Sequence, residues 1–280
     1  MSSLLTQGLN YPRPIRVADD VYWVGFADPT RGLHCNPYLI FDGDEGVLID
    51  GGSRPEFSTV MMKILQTGMA PGQISTLIYQ HFDPDLCGSV SNLEEIIARP
   101  DLRVISKREN NVFIRYYGIR SNLECIDDLG RKLVLASGRT LRFIPTPYAH
   151  AAGSFMTYDE KTGILFTSDL LGSFEKNEKR PLFRRLQPEC LQCNHAMTPP
   201  EGKCSDSGEE CPFPQMLAFH REEMTSNRAL RLACQRILEV GARIVAPQHG
   251  SIWHSSQDVE CIVRRLMAME DVGIDGVAHE

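Results

Sequence analysis

The sequence lacks any apolar run of the roughly 20 residues that a bilayer span requires. Its opening residues, Met1-Ser2-Ser3-Leu4-Leu5-Thr6-Gln7, have neither the basic start nor the apolar core of a signal peptide. A soluble, cytoplasmic protein without a membrane partner is therefore expected. An excess of positive charge is missing too. With 29 Lys and Arg against 36 Asp and Glu, the formal net charge is −7, which argues against nucleic acid as a general partner because phosphate backbones call for clustered cations. The short basic stretches at 176–180 and at Arg184 and Arg185 read as solvated surface. No short repeat of fixed period is visible. The nine cysteines, with no export signal before them, are expected as reduced thiols or metal ligands.

What is present is an ordinary globular composition, 42% hydrophobic and 23% charged, over 280 residues. Runs at 21–26, 37–41 and 46–50 read as strands, the last two joined by the turn residues Asp42, Gly43 and Asp44. Apolar residues at Val60, Met61, Ile64 and Leu65 have helical spacing. Ser91 and Glu94 have the spacing of a capping box that would start a helix through Ile97. A short helix is expected at 110–117 and strands at 103–106, 132–135, 141–144, 154–158 and 164–167, the last two linked as a hairpin through 159–163. From 172 to 214 the pattern dissolves into Pro, Cys and charge, which reads as an insertion or long loop. Amphipathic helices follow at 224–240 and 258–269. Two strand-rich halves punctuated by helices suggest two packed sheets with helices outside.

The densest chemistry is in Gln80-His81-Phe82-Asp83-Pro84-Asp85, which places one imidazole and two carboxylates at alternating positions after the apolar run 77–79. Pro84 cannot continue a central strand and disfavours helix for Asp83, so the segment is expected to be an irregular loop at a strand's end. His150, Asp169 and His249 stand in similar surroundings, each after a strand-like stretch. Taken singly, a histidine after a strand is more often a hydrogen-bonded structural residue, and an aspartate there more often caps a turn. Four recurrences of one context argue against coincidence. Three His and three Asp could serve two metal ions if one carboxylate bridges, and the three carboxylates favour iron or manganese without excluding zinc.

Together with the stretches at 21–25, 36–40, 47–51, 166–174 and 246–253, these residues give a chain that resembles the metallo-β-lactamase fold over roughly 21–269. Within that superfamily it is similar to the lactamase domain of flavodiiron proteins and to oxygen-binding diiron proteins. Hydrolytic members generally carry His where this chain has Asp83, which sides with the diiron branch. The resemblance implies an α/β fold, an αββα sandwich of two mixed sheets with outer helices, in a single domain over 1–280 with a Cys-rich insertion at about 175–214. It implies two irons, with His81, Asp83 and His150 holding one, Asp85 and His249 the other, and Asp169 bridging. Where the superfamily motif ends in His this chain has Leu86, which cannot ligate, so an open position at the second metal is expected.

Flavodiiron proteins carry a flavodoxin domain after the lactamase domain; here the chain stops at Glu280, and no flavin domain is expected. The resemblance thus implies a protein that binds O2, or NO, either as an oxygen sensor or carrier or as a reductase fed by an external redox protein. A homodimer is a further expectation. The alternative is a metal-dependent hydrolase such as a phosphodiesterase, acting through a metal-bridging hydroxide and favoured by a basic groove near Arg31, Arg54 or Arg184. A third reading is a sensor module whose Cys-rich insertion docks a partner.

Cys190, Cys193, Cys204 and Cys211 form a C-x2-C-x10-C-x6-C cluster in that insertion. They read as a structural zinc site, less readily as an iron–sulfur or rubredoxin-like centre, or else as thiols without metal, with His195 as an alternative ligand. Cys35, Cys87, Cys125, Cys234 and Cys261 read as buried packing residues. His34, Tyr148 and His254 are candidates to support the ligands, though each also reads as an ordinary packed polar residue.

Overall fold

The computed structural model describes residues 9–27, 34–174, 181–192 and 211–277. The first half begins with β1 (Ile15–Ala18), β2 (Val21–Trp23), the short pair β3 (Phe26–Ala27) and β4 (His34–Cys35), β5 (Tyr38–Asp42), β6 (Glu45–Ile49) and α1 (Phe57–Gln66). It continues through β7 (Ile74–Ile78), α2 (Pro84–Cys87), α3 (Val90–Ile97), β8 (Arg103–Ser106), α4 (Arg108–Ile114) and β9 (Leu123–Cys125). Seven strands make one sheet in the order β1-β2-β5-β6-β7-β8-β9. Its β1, β2, β5 and β6 are antiparallel neighbours, whereas β6, β7, β8 and β9 run parallel.

The second half contains β10 (Lys132–Val134), β11 (Thr140–Pro145), β12 (Phe155–Asp159), β13 (Ile164–Phe166), β14 (Phe183–Arg184) and α5 (Pro188–Gln192). After these come α6 (Phe213–Glu223), α7 (Asn227–Val240), β15 (Ile244–Ala246), β16 (Ile252–Trp253), α8 (Ser256–Met267) and α9 (Ile274–Val277). The second sheet has the order β10-β11-β12-β13-β15-β16-β14 and is also mixed.

The layering follows from strand periodicity. In β5 to β7 every other apolar residue points to the opposite face. Ile40, Val47, Ile49 and Ile78 join Leu141, Phe143, Phe155, Ile164 and Ile244 of the other sheet in one core. Their neighbours Leu39, Leu48 and Leu77 pack outward against Val60 and Ile64 of α1 and Leu93 of α3. Leu165 and Val245 likewise meet Leu230, Ile237 and Ile262 of α7 and α8. Both faces of each central strand are thus covered, which is why these strands read as continuous apolar runs rather than alternating ones. The expected two-sheet sandwich with outer helices is the observed architecture.

Several local expectations need correction. The run at 21–26 is broken: the chain leaves the first sheet at Val24 and Gly25 so that Phe26 can pair with Cys35, and a Cβ on Gly25 would stand 2.2 Å from the Cys35 carbonyl oxygen. The segment after His81 is not an irregular loop throughout. Pro84 opens the short α2, a position where its missing N–H costs nothing and its fixed φ suits a helix. The capping box at Ser91 does not form, because α3 starts earlier, at Val90. Glu94 instead accepts from the backbone N–H groups of Arg120 and Ser121 at 2.9 and 2.8 Å. Met224 is extended and ends α6; α7 begins at Asn227, where the Ser226 hydroxyl accepts from the Ala229 N–H. The stretch read as an insertion contributes β14 to the second sheet and the start of α6, while 175–180 and 193–210 lie outside the described residues.

Candidate metal centre

The six sequence candidates come from four places and meet at one end of the sandwich. His81 follows β7, Asp83 and Asp85 flank Pro84 at the start of α2, His150 lies between β11 and β12, Asp169 follows β13, and His249 lies between β15 and β16. Each follows the edge of a buried strand, so the rigid sheets fix where the loops begin. Non-glycine residues with left-handed backbone sit at the site itself, His150 at φ 82° and Ser168 at φ 55°. Such residues cost of order 1–3 kcal/mol each and persist where the surroundings over-determine them.

Two donor groups form around one carboxylate. On one side, Nε2 of His81 lies 3.8 Å from Asp83 Oδ2 and 3.8 Å from Asp169 Oδ2. His150 Nε2 lies 2.7 Å from Asp83 and 3.9 Å from the same Asp169 oxygen. On the other side, His249 Nε2 is 3.2 Å from Asp85 Oδ2 and 3.7 Å from Asp169 Oδ1. The two oxygens of the 3%-exposed Asp169 therefore face different groups.

A residue read from the sequence only as packing joins the second group. Cys35 is fully buried, with its Sγ 3.7 Å from Asp85 Oδ2. One donor atom from each of Cys35, Asp85 and His249 lies within 4.8 Å of the others. Leu86, in contrast, packs in the apolar layer beneath α1 and α3.

The surroundings aim these side chains. His81 Nδ1 shares a 2.8 Å hydrogen bond with the Ser168 hydroxyl, and His150 Nδ1 donates to the Glu223 carbonyl at 3.1 Å. Both rings are thereby held with Nε2 directed inward, the arrangement that orients metal-binding imidazoles. Cys87, beside Asp85, donates its thiol weakly to the His81 carbonyl at 3.4 Å. His220 is buried in α6, where its Nδ1–H donates to the Met216 carbonyl and its Nε2 accepts from the backbone N–H of Leu171, two residues past Asp169. Ser168 stood beside a candidate in the sequence. Glu223 and His220 carried no such signal, being about 70 residues from His150 and 50 from Asp169 along the chain.

Charge in the cluster is strongly coupled. Burial works against the Asp85 carboxylate, yet the hydrogen bond and charge of His249 bring it down to about 2. Burial also opposes the His150 imidazolium, but the Asp83 hydrogen bond and the nearby carboxylates lift it to about 10. His249 is raised well above its ordinary value by Asp85 despite burial. Asp50, wholly buried behind the site, moves the other way from Asp85: burial and the neighbouring Asp169 and Asp85 charges push it well above the carboxylate range, while its carboxyl oxygen accepts from the Gln80 N–H.

The donors fit metal ions on a structural test. His81 Nε2 and Asp169 Oδ1 are buried and have no hydrogen-bond partner, and both face the donor groups. Leaving two such atoms unpaired would cost about 1–3 kcal/mol each. An ion with nitrogen and oxygen ligands near 2.0–2.2 Å places those ligands about 3–3.5 Å apart at tetrahedral or octahedral angles, close to the separations here.

The other sequence candidates lie elsewhere. Tyr148 is exposed, its carbonyl accepting from Thr225, and His254 packs edge-on against Phe183. Arg31 and the His34 side chain fall outside the described residues, Arg54 is exposed, and Arg184 is half-buried on β14. Of the cysteine quartet, Cys193 and Cys204 also fall outside the described residues. Among the described residues, no helix is long and apolar enough to cross a membrane.

Two mixed sheets with helices outside, and His and Asp side chains gathered at the strand ends, define a metallo-β-lactamase-like protein. The chain belongs to the family described as ODP family beta lactamase, which matches residues 33–250. The apo state of the chemotaxis sensor ODP from T. denticola has the same fold, with a TM-score of 0.73 at 22% identity, covering 95% of this chain and 97% of that one. A structure of the peroxy diiron species of a chemotaxis sensor ODP gives a TM-score of 0.72, also at 22% identity, over 95% and 98% of the two chains. In sequence, the flavo-diiron protein FprA2 of Clostridium acetobutylicum is 28% identical over 56% of this chain and 42% of its own length. Diflavin flavoprotein A 1 of Synechocystis sp. is 31% identical over 51% of this chain and 24% of its own length. The aligned part is thus less than half of either curated relative.

Proposed function

We propose that the chain is a non-haem diiron protein that binds O2 and acts as an oxygen sensor or carrier. His81, Asp83 and His150 would hold one iron, Asp85 and His249 the other, and Asp169 would bridge. The observation that carries this reading is Asp169, whose two buried oxygens face two separate donor groups. The family match and the diiron proteins among the relatives support iron over zinc. Two ferrous ions would supply the electrons that O2 binding requires.

The protein's own residues would set the conditions. Three carboxylates put negative charge where a more oxidised metal pair needs it. Ser168 and the Glu223 carbonyl would hold the rings of His81 and His150 in the ligating orientation. Phe174 and Phe219 wall the His249 side with aromatic surface, their ring centroids 5.6 and 5.9 Å from the imidazole, and restrict water there. Asp83 and His150 remain partly exposed, and a small ligand would enter on their side.

The test is anaerobic purification with metal analysis, followed by absorption spectra before and after O2. Two irons per chain and a stable spectral change that reverses on removing O2 are expected. Rapid O2 or NO consumption with an added reductant would assign a reductase instead. Two zinc ions, no response to O2 and hydrolysis of a phosphodiester would overturn the reading.

A further inference from the structure

We infer that Cys35 is a protein ligand of the second metal position, its thiolate joining Asp85 and His249. The inference rests on the two-metal reading and names a donor that the sequence comparison does not supply.

The geometry is specific. A sulfur ligand lies near 2.3 Å from a metal and a carboxylate oxygen near 2.1 Å, so at a tetrahedral angle the two donors stand about 3.6 Å apart. Cys35 Sγ and Asp85 Oδ2 are 3.7 Å apart. His249 Nε2 completes the set at 3.2 Å from the same oxygen. Asp169 Oδ1, buried and without a hydrogen-bond partner, faces this group 3.7 Å from His249 Nε2 and gives a fourth donor.

The backbone is built to hold this arrangement. Cys35 lies on β4, and the next residue, Asn36, is fully buried. Its N–H donates to the Gln248 carbonyl at 2.9 Å, and its carboxamide donates to the Pro247 and Gly250 carbonyls at 2.9 and 3.0 Å. The carboxamide oxygen in turn accepts from Trp23 Nε1 at 2.8 Å. Cys35 is therefore strapped to the loop on both sides of His249, although 214 residues separate them.

Charge balance agrees. Asp83, Asp85 and Asp169 give three negative charges, and a thiolate makes four, matching two divalent ions in a site where an unbalanced charge is costly. Binding would replace the thiol proton by the metal and release it to solvent. A sulfur donor would also make the second position softer than the first.

Cobalt(II) titration of the metal-free full-length chain tests this, with a sulfur-to-cobalt charge-transfer band in the near ultraviolet as the readout. Because the cysteines at 190, 193, 204 and 211 could give a similar band, the wild type is compared with Cys35→Ser, Cys193→Ser and Cys87→Ser, each checked for folding by circular dichroism. The expected result is a band component that persists in C193S and C87S and is lost in C35S, with affinity for the second ion at least about tenfold weaker. X-ray absorption of the cobalt-loaded C193S protein should show sulfur scattering, so the inference stays testable if C35S fails to fold. Two bound ions with an unchanged band in C35S, or with only nitrogen and oxygen scatterers in C193S, would overturn the Cys35 ligand and leave the two-metal reading intact. Failure of the wild type to bind ions at the six His and Asp donors would overturn both.

Discussion

The carboxamide of Asn36 donates to the backbone carbonyl of Pro247 across 211 residues of sequence, at 2.9 Å. This contact fastens the first strand-rich half to the loop that presents His249. Asn36→Ala removes three side-chain hydrogen bonds and leaves the buried Trp23 N–H and two carbonyls without that partner. A loss of about 2–4 kcal/mol is expected, read as a lower urea midpoint. Binding of the second metal ion should weaken as well, since His249 loses its fixed position.

Asp169→Asn keeps the shape of the bridging residue and removes one negative charge. Metal content by elemental analysis should fall from two ions per chain to one or fewer. The thermal midpoint of the metal-free protein should fall too, because the Asp169 charge helps to hold the buried imidazoles of His150 and His249 in their charged forms. Retention of two ions would argue against Asp169 as the bridge.

Ser168→Ala leaves the His81 ring in place but takes away the partner of Nδ1. Affinity for the first ion, measured by competition with a chelator, is expected to drop about 10–100-fold, and the buried Nδ1 left unpaired should cost about 1–3 kcal/mol of stability.

Acid should loosen the site through His220. Burial holds this imidazole down to about 4, against 6.5 for the free group, so the folded state favours the neutral ring. A depressed folded value means that the stability contribution is complete above about pH 6.5 and is lost as pH falls toward 4, because the unfolded chain takes up the proton first. The full loss is about 3 kcal/mol. Comparing urea midpoints of the metal-free wild type and His220→Phe at pH 7.5 and 4.5 isolates it: the variant should show the smaller drop, and an equal drop in both would remove His220 as the cause.

Metal removal should destabilise the fold. Ions that bind only the native state stabilise it by mass action, about 2.7 kcal/mol when free ion is a hundredfold above Kd. Addition of a strong chelator should therefore lower the thermal midpoint of the purified protein, and re-addition of iron under anaerobic conditions should restore it.

Much of this was legible in the sequence. Apolar runs such as 77–79 and 164–166 mark strands buried on both faces, because that pattern depends only on local periodicity and burial. The six His and Asp candidates each follow such a run, and their recurrence pointed to a common end of the sheets. Boundaries were less legible. Pro84 reads as a breaker by itself, and only its place after an extended Asp83 makes it the first residue of a helix. The Ser91 and Glu94 pair has the spacing of a cap, yet Glu94 is taken by Arg120 and Ser121, partners that the local pattern does not show.

The sequence by itself determined the layers, the fold family and the types of donor available, since these follow from side-chain chemistry and short-range spacing. Only the tertiary structure decided which donors share an ion-sized space. Strand pairing and the Asn36 strap bring Cys35 to Asp85 and His249, and α6 carries Glu223 and His220 up to His150 and Leu171. Those distances depend on how two sheets and their helices pack, a long-range outcome that leaves no periodic mark around a single cysteine, glutamate or histidine.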